Sequence, residues 1–450
     1  MKILSAEWLL PISSEPISGG AIAINETKII AFGTKKELVK NFPSAKHDNF
    51  GEAVILPGFV NAHSHLEITA MRGFLDDVEQ DFYSWLIKLT KTRAEKLSEK
   101  DVRISAVFGA LEGVRAGVTC FGDIGRFGKA GFCALKENQL RGVLFQETEF
   151  SPKNEEAEND FAKLQERFLE LKESETELVK IGISPHSPYT VSRKLFEKIT
   201  EYALDENIQL TVHAAESRQE QELMLCGEGF FAEIYENLNL VWNAPKVSSV
   251  QFLSDIGVLQ AKPLLAHCIK VSDKDIELIG ESDSRIAHCP KSNAKFGHGV
   301  APLGKFLDKR IRVGLGSDSV ASNNTCDMLE EARFAALLSR NSEAKKRFLS
   351  AKEIIETATI GGARSLGLET EIGTLDEGKQ ADLIVISLDA VAQMPVHDVY
   401  SALIFASNAR DVKMTMVAGK EIYRDGKAKQ IDEVALKKEI KAIGQKMRNN

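Results

Sequence analysis

The sequence is poor in cysteine and has no long apolar run. Its six cysteines in 450 residues include no C-x-x-C pair, which excludes a disulfide scaffold and favours reduced, mostly buried thiols. No stretch approaches the roughly 20 apolar residues that a transmembrane helix needs. The N-terminal "MKILSAEWLLPISSEPISGG" is too interrupted for a secretory signal. We therefore expect a cytoplasmic protein that has no membrane partner.

An excess of positive charge is also missing. The chain carries 57 Lys and Arg against 65 Asp and Glu, for a net charge of -8. No basic run interleaved with aromatic residues occurs, so nucleic acid is excluded as the expected partner. The 43% of hydrophobic residues suits a folded globular chain. We expect a small-molecule substrate, and homo-oligomerisation stays open.

From about residue 56 onward, short apolar stretches alternate with longer amphipathic ones. This alternation is typical of strand and helix units around a parallel sheet. Eight such stretches occur: LPGFVNAHSH, GVTCFGDIG, RGVLFQETEF, LVKIGISPHS, IQLTVHAAE, KPLLAHCIK, SRIAHCPKS and IRVGLGSDS. Eight units make a closed barrel, so the predicted fold class is α/β, a (β/α)8 barrel over residues 56–369.

Both chain ends lie outside this pattern. Residues 1–55 contain "AIAINETKIIAFGT" and residues 370–430 contain "IGTLDEGKQADLIVIS", and both segments have the pattern of short strands with turns. We expect the two ends to share a small sheet. Residues 431–450 have apolar residues at helical spacing, which predicts a C-terminal surface helix.

Ligand-type residues occur at the ends of four predicted strands, although the chain has only nine histidines. His63 and His65 end the first strand and share one face, since strand side chains alternate. His213 ends the fifth, His267 the sixth and Asp318 the eighth. The carboxyl ends of barrel strands build active sites. We therefore assign His63, His65, His213 and Asp318 to one catalytic metal ion, with an open position left for water.

These residues and their surroundings resemble a known family. The "PGFVNAHSH", "HAAE", "AHC", "LGSDSVASNN" and "GTLDEGKQADLIVI" segments together resemble the amidohydrolase superfamily over nearly the whole chain. The resemblance is to the branch of adenosine and S-adenosylhomocysteine deaminases and triazine chlorohydrolases. It implies a barrel flanked by a small β-sandwich made of both chain ends, one bound zinc or ferrous iron ion, and hydrolysis at an aromatic ring carbon.

The resemblance also implies roles for individual residues. Glu216 matches the proton donor to a ring nitrogen, His267 the group beside the attacking water, and Asp318 the metal-bound acceptor of the water's proton. His186 matches a histidine that contacts the nucleoside. A general acid must keep its proton near neutral pH, which burial of a carboxyl group permits.

Simpler alternatives remain for several of these residues. Glu216 would also suit the first turn of a helix, and His186, which lies between prolines, would also suit a loop. Asn293 and Asn323 either shape the pocket or bond their own turns. Glu67 either orients a ligand histidine or is a loop carboxylate.

One segment departs from the S-adenosylhomocysteine deaminase pattern. Where those enzymes carry a glutamate for the ribose hydroxyls, "WLIKLTKTR" carries Arg93. Together with "HSHLE", the segment is similar to the aminodeoxyfutalosine deaminases, and Arg93 would pair with a substrate carboxylate. Alternatively, Arg93 is one more cation on a solvated helix face with three nearby lysines.

The resulting prediction is a metal-dependent aminohydrolase that replaces an exocyclic amino group of a purine-type ring with oxygen. The alternative is hydrolysis of chloride or an alkylamine from a triazine or another N-heterocycle. A non-catalytic assembly protein of the same fold is the third hypothesis. Such a protein should have lost metal ligands or the acid, whereas this sequence retains all of them.

Overall fold

The computed structural model describes residues 1–343 and 347–449. Its strands are β1 Lys2–Ser5, β2 Trp8–Leu9, β3 Ile17–Ser18, β4 Gly20–Asn25, β5 Lys28–Thr34, β6 Lys46–Asn49, β7 Ala53–Pro57, β8 Phe59–Ser64, β9 Val118–Gly125, β10 Arg141–Glu147, β11 Val179–Ser184, β12 Thr211–Ala214, β13 Leu264–His267, β14 Arg285–His288, β15 Arg312–Leu315, β16 Leu383–Ser387, β17 Val412–Val417, β18 Lys420–Arg424 and β19 Lys427–Ala428.

The α-helices are α1 Lys35–Asn41, α2 Phe82–Lys96, α3 Glu99–Arg115, α4 Lys129–Glu137, α5 Ala157–Lys172, α6 Arg193–Asp205, α7 Arg218–Cys226, α8 Phe230–Asn237, α9 Ser249–Asp255, α10 Asp273–Glu281, α11 Pro290–Lys295, α12 Leu303–Asp308, α13 Val320–Asn323, α14 Met328–Glu343, α15 Ala351–Glu356, α16 Gly362–Ser365, α17 Val399–Ser401 and α18 Glu433–Arg448. Mixed α/β content is therefore confirmed, and α18 lies where the C-terminal helix is predicted.

The eight strands β8 to β15 form the centre of the molecule, and each predicted stretch contains one of them. They pair in parallel as two four-stranded sheets, in the orders β11-β10-β9-β8 and β12-β13-β14-β15. Single parallel bridges link the sheets, one between Ile183 and Leu210 and one between Ser64 and Asp318. All residues of β9 and β10 are buried, as expected for parallel strands covered on both faces.

Helices follow these strands and begin at polar caps in the sequence. Ser98 starts α3, where its backbone N–H donates to Asp101 at 2.9 Å and its hydroxyl accepts from the Asp101 N–H at 3.3 Å. Ser272 and Asp275 repeat this capping box at α10. Because a cap satisfies N–H groups that the helix itself leaves free, it fixes where each helix begins.

Strands from both chain ends pair outside the central set. One sheet has the order β5-β4-β1-β6, and a seven-stranded sheet, β19-β18-β17-β16-β7-β2-β3, combines N-terminal and C-terminal strands. An apolar cluster of Leu4, Ile22, Ile55, Leu383, Met414 and their neighbours draws its residues from both sheets. The chain passes from β7 into β8 through Gly58, where a Cβ atom would lie 2.1 Å from Thr119 Oγ1.

One strand expectation was wrong. Of residues 372–387, only Leu383–Ser387 form a strand, although Gln380 makes an isolated antiparallel bridge to Lys28. Ile372 and Leu375 are buried without strand pairing, so their apolar character reflects packing rather than a ladder. The short strands expected in residues 21–34 are present as β4 and β5, which pair antiparallel.

The cysteines are free, as expected, and four of the six are buried. Cys226 is exposed and Cys133 is only partly buried. Within the described residues, no helix combines the length and apolarity needed to cross a membrane.

Candidate active site

Three histidines lie close together at the carboxyl ends of two central strands, β8 and β12. His63 lies in β8, His65 directly follows that strand, and His213 lies in β12. One nitrogen of each ring lies within 4.8 Å of the other two, and Nε2 of His65 is 3.2 Å from Nε2 of His213. The rings of His63 and His65 lie on the same side of the strand, with centroids 5.0 Å apart.

Asp318 adds a carboxylate to this cluster. It follows β15, and its Oδ1 lies 3.6 Å from Nε2 of both His63 and His65. Its Oδ2 accepts hydrogen bonds from Ser292 Oγ at 2.6 Å and Ser322 Oγ at 2.8 Å. These two hydroxyls occupy one carboxylate oxygen and leave the other one directed at the histidines.

The backbone around the cluster is strained. Asp318 has a φ of 55°, His267 of 73° and Ala215 of 53°, which are left-handed values uncommon for residues with a Cβ atom. Such conformations cost free energy and persist where the surrounding structure holds them. Here they occur at the carboxyl ends of three strands of one half-sheet, β12, β13 and β15.

The donor set fits a divalent metal ion. Neither ring nitrogen of the buried His63 has a hydrogen-bonding partner among the described residues, and an unbonded buried polar atom is costly unless something ligates it. Burial lowers the pKa values of His63 and His213, so both rings are neutral and can donate a lone pair. Burial opposes ionisation of Asp318, but the adjacent imidazoles outweigh it and hold its pKa well below the usual range.

A second group of possible ligands shares one histidine with the first. Glu147, His186 and His213 also bring one atom each within 4.8 Å of one another. However, His213 Nδ1 lies 3.1 Å from the backbone oxygen of His186, so only Nε2 of His213 is free for a metal. The two groups would therefore share this one nitrogen, and one ion can use it. The first group has the orphaned nitrogens of His63 and the Asp318 carboxylate, and it therefore fits better.

Glu216 and His267 face each other beside this cluster. Glu216 Oε1 lies 3.7 Å from His267 Nε2 and 4.0 Å from His298 Nε2. Burial raises the pKa of Glu216 to about 7, which lets the group carry a proton near neutral pH. Burial opposes protonation of His267, but the carboxyl groups of Glu216 and Asp318 outweigh it and raise the His267 pKa.

Two residues that the sequence analysis did not single out support this pair. Glu220 is buried and accepts hydrogen bonds from the backbone N–H groups of Ala215 and Glu216, both at 2.8 Å. It takes the helix-start role considered for Glu216, so the side chain of Glu216 is left to face the cavity. His298 Nε2 lies 4.0 Å from Glu216 Oε1. It lies in a loop and not at the end of a strand, so the strand-end rule did not mark it.

The two asparagines have different surroundings, and neither lines the cavity. Asn293 Oδ1 lies 3.0 Å from His267 Nδ1; because an amide oxygen only accepts, Nδ1 carries the hydrogen of this bond. Asn323 donates to the backbone oxygen of Ser317 and, at 2.8 Å, to Glu331. Asn293 thus holds a site histidine, whereas Asn323 holds its own loop.

Glu67 and His186 each bond loop residues. The Glu67 carboxylate accepts from the backbone N–H groups of Arg126 and Phe127, at 3.1 Å each. Nδ1 of His186 lies 2.8 Å from Thr190 Oγ1, and its Nε2 lies 4.0 Å from Glu147 Oε1. Glu67 therefore bonds a neighbouring loop and no histidine, while His186 both stabilises its loop and faces the cavity.

A cavity of about 380 Å³ opens beside these groups. Its polar lining includes His65, His213, Glu216, His267 and Asp318. Much of the remaining wall is apolar. It comes from Trp85 and Leu86 in α2, Phe231 and Ile234 in α8, and Leu238 directly after α8. A cavity of this size, mostly apolar with a few converging polar groups, is typical of a small-molecule site.

Arg93 lines the same cavity. It belongs to α2, but two lysines of this helix bond partners away from the cavity. Lys88 bonds Asp77 at 2.6 Å, and Lys96 bonds the Met447 backbone oxygen at 2.9 Å. Arg126 and Glu147 also line the cavity, and the sequence analysis did not single them out. Both lie at strand ends, directly after β9 and at the end of β10, so the rule that selected the histidines would have marked them.

Known proteins match this chain over nearly its full length. The Amidohydrolase family pattern matches residues 54–422. A 5-methylthioadenosine/S-adenosylhomocysteine deaminase from Thermodesulfovibrio yellowstonii is 30% identical over 437 residues, covering 96% of this chain and 95% of that protein.

Solved structures show the same fold. An adenosine deaminase from Xanthomonas campestris with bound zinc superposes with a TM-score of 0.86 at 25% identity, covering 99% of this chain and 98% of that one. At 23% identity, an atrazine chlorohydrolase from Arthrobacter aurescens, complexed with zinc, covers 99% of this chain and 100% of its own with a TM-score of 0.85. The Helicobacter pylori aminofutalosine deaminase covers 94% and 100% with a TM-score of 0.80, also at 23% identity.

These matches, the eight parallel strands and the histidine cluster at their carboxyl ends agree, and the chain belongs to the Amidohydrolase family, a family of metal-dependent hydrolases.

Proposed function

We propose that this protein is a metal-dependent aminohydrolase that replaces the exocyclic amino group of an adenine nucleoside with oxygen. One observation carries the proposal: a buried carboxyl group, Glu216, whose pKa is raised to about 7, lines the same cavity as the histidine and aspartate cluster. Hydrolysis at a ring carbon needs both an activated water and an acid for the ring nitrogen. This cavity offers a metal site for the first and Glu216 for the second.

Four residues would hold the metal: His63, His65, His213 and Asp318. One ion fits the set, with zinc as the first choice and ferrous iron as the alternative. When bound, such an ion acts as a Lewis acid that activates water for attack. Support comes from the zinc in the Xanthomonas campestris adenosine deaminase, a structural relative of this chain.

The protein's own groups would move the protons. Asp318, an anion with Oδ1 directed at the histidines, would accept a proton from the attacking water, and His267 would hydrogen-bond that water. Glu216 donates its proton to the ring nitrogen next to the attacked carbon, which makes the carbon electrophilic. The proton held by Asp318 then passes to the amino group, ammonia leaves, and the proton of the added hydroxyl passes to Glu216 as the carbonyl forms.

The substrate class follows from the relatives named for adenine nucleosides. We propose that Arg93 and His186 contact the part of the nucleoside beyond the ring, since both line the cavity. A guanidinium group there favours a nucleoside that bears a carboxylate, such as aminodeoxyfutalosine, over plain adenosine.

Ammonia release tests this function. Metal-loaded protein is assayed with adenosine, methylthioadenosine, S-adenosylhomocysteine, aminodeoxyfutalosine and chlorinated or aminated triazines. We expect release from the adenine nucleosides and none from the triazines, and loss of that release after chelation of the metal. Turnover of triazines without ammonia release from any purine would replace this proposal with the chlorohydrolase alternative.

The division of the chain into domains is also a proposal. We infer that β8 to β15 close into an eight-stranded barrel within residues 56–369, supported by the two bridges between the half-sheets. Residues 1–55 and 370–430 would form one composite β-sandwich, supported by the apolar cluster shared between their sheets. Limited proteolysis tests this: fragments of 1–55 and 370–430 should stay associated after cuts near both boundaries.

A further inference from the structure

The strand that carries His63 is irregular at its carboxyl end. β8 pairs with β9 in parallel, but the register shifts between Asn61 and Ser64, where three residue steps of β8 lie against two of β9. Such a bulge disrupts the ladder locally and redirects side chains. His65 follows the end of β8 with a φ of -131° and a ψ of 76°, and a short turn begins at Leu66. The strand ladder alone therefore does not fix the position of His65.

The His65 ring also lacks a support of its own. A metal-binding histidine usually donates its other ring N–H to an oxygen atom, which sets the orientation of the ring. His213 has such a partner in the His186 backbone oxygen, 3.1 Å from its Nδ1. Among the described residues, the ring of His65 bonds only that of His213, and its side chain is 18% exposed against 1% for His63. The backbone on either side must therefore place this ring.

Asp123 bonds the residues on both sides of His65. It lies in β9 and is fully buried. Its Oδ1 accepts a hydrogen bond from the Ser64 hydroxyl and another from the Leu66 backbone N–H, both at 2.9 Å. Ser64 directly precedes His65 and Leu66 directly follows it. A single carboxylate oxygen thus connects the two neighbours of this histidine and fixes the short segment that carries it.

Glu67 makes the reverse connection. Its carboxylate accepts the backbone N–H groups of Arg126 and Phe127, at 3.1 Å each, and both residues directly follow β9. Residues 64–67 thus receive one buried carboxylate from residues 123–127 and supply another one to them. We call Asp123, Glu67 and the groups that donate to them the carboxylate lock. It joins the two segments in both directions beside His65.

Two glycines leave room for the lock. A Cβ atom on Gly131, in α4, would lie 2.5 Å from Oδ2 of Asp123, and a Cβ atom on Gly125, at the end of β9, would lie 2.7 Å from Oε1 of Glu67. Glycine within a helix or strand costs stability relative to alanine. The chain therefore has glycine at both positions where a methyl group would strike a carboxylate of the lock.

We propose that Asp123 and Glu67 are positioning residues, which hold the His65 imidazole at the metal site through the backbone on both sides of it. The inference rests on the metal site of the proposed function and adds two residues to it. Neither carboxylate lines the cavity, so each acts through the chain. The lock replaces the ring support that His65 lacks, and it places this histidine before a metal ion binds.

Zinc affinity, measured by competition with a chelator, tests the lock at Asp123. Asp123→Asn keeps an oxygen that accepts both bonds, so its zinc affinity should stay within about threefold of the wild-type value. Asp123→Leu fills the space but accepts no bond, and it should bind zinc about tenfold to hundredfold more weakly. Ser64→Ala removes one of the two bonds and should fall between these variants. Glu67→Gln and Glu67→Leu should follow the same order as the pair at Asp123.

The control for a general loss of stability is Asp275→Leu. Asp275 is also a buried carboxylate, and it accepts from the Ser272 N–H at 2.8 Å and the Ser272 hydroxyl at 2.7 Å. Its loss should lower the urea midpoint but leave zinc affinity unchanged. The visible spectrum of the cobalt-loaded protein reports the geometry of the metal site. It should change in Asp123→Leu and not in Asp275→Leu.

A second variant displaces Asp123 without replacing it. Gly131→Ala places a methyl group against Oδ2 and should weaken zinc binding, whereas Gly444→Ala, where a Cβ atom meets nothing within 4 Å, should not. If Asp123→Leu fails to fold, Gly131→Ala and Ser64→Ala decide the question. Wild-type zinc affinity in the variants that fold, an equal loss in Asp275→Leu, or a loss in Asp123→Asn as large as that in Asp123→Leu would overturn the lock.

Ammonia release from adenine nucleosides, measured on the same preparations, separates this inference from the proposed reaction. If Asp123→Leu binds zinc more weakly as expected but the wild-type protein deaminates no nucleoside, the lock stands and the reaction is wrong. If the nucleosides are deaminated and Asp123→Leu binds zinc like the wild type, the reaction stands and the lock is wrong. A wild-type protein that binds no zinc or other divalent metal would overturn both.

Discussion

The two polar regions of the cavity are built in opposite ways. Around Asp318, Ser292 and Ser322 hold one carboxylate oxygen, and Asn293 bonds the ring of His267. Around Arg93 and Arg126, the structure shows no bond from a described residue to either guanidinium group. The first region is therefore held in place by the protein, whereas the second has donors that only a ligand would satisfy.

This difference separates chemistry from selection. Proton transfer at a reacting atom needs groups fixed to within a fraction of an ångström, which supporting hydrogen bonds provide. Recognition of a substituent instead gains from donors that no protein group already satisfies, since a bond already made would have to be broken first. The predictions below test whether the first region depends on its supports and the second does not.

The largest effect should come from removing a metal ligand. His63→Asn replaces a buried, unbonded imidazole, so the protein should lose its metal, and kcat/KM for an adenine nucleoside should fall on the order of 10³-fold or more. Metal content is measured by elemental analysis and activity by ammonia release. His397→Asn is the control, since His397 is exposed. Full metal content in His63→Asn would contradict the ligand assignment.

Glu216→Gln should have the next largest effect. The amide keeps the shape of the side chain but cannot donate the proton of a carboxylic acid, so kcat should fall about 10² to 10⁴-fold. Metal content should stay at the wild-type value, because Glu216 is not a ligand. Steady-state kinetics and elemental analysis on the same preparation check both statements. Metal loss in this variant would make Glu216 a ligand and remove it from the proton-donor role.

Removing a support of Asp318 should cost less. Ser292→Ala deletes the 2.6 Å bond to Oδ2 while Ser322 still holds that oxygen, and loss of such a support lowers metal affinity or activity about tenfold to hundredfold. Metal affinity is measured by competition with a chelator. Ser282→Ala is the matched control, since its hydroxyl bonds only the Ile279 backbone and Ser284 among the described residues. Equal metal affinity and activity in both variants would show that the carboxylate needs no such support.

The same contrast explains what the sequence could predict. His63, His65, His213, His267 and Asp318 were found because each ends a strand of a parallel set, and the carboxyl ends of such strands meet at one edge. Their approach follows from topology alone. The α/β character of the fold was accessible for the same reason, since the eight apolar stretches are separated by helices of ordinary length.

What the sequence could not predict depends on where side chains point in loops. Glu220 was hidden among several acids at the start of α7, and His298 lies in a loop away from any strand end. The apolar residues Ile372 and Leu375 suggested a strand, whereas they pack without pairing. In each case a contact with a distant part of the chain decides where the side chain lies. The hydrophobic periodicity of the sequence does not predict that contact.

The smallest expected effect is the sharpest test of the comparison, because it concerns stability rather than activity. Arg93→Gln and Arg126→Gln remove groups that bond no described residue, so the free energy of unfolding should change by no more than about 0.5 kcal/mol. Glu220→Ala deletes an acceptor for two buried backbone N–H groups and should lower it by about 1–3 kcal/mol. Urea denaturation of the three variants and the wild type gives all four values. A loss in Arg126→Gln as large as that in Glu220→Ala would mean that the protein itself satisfies this guanidinium, and the two regions of the cavity would then be built alike.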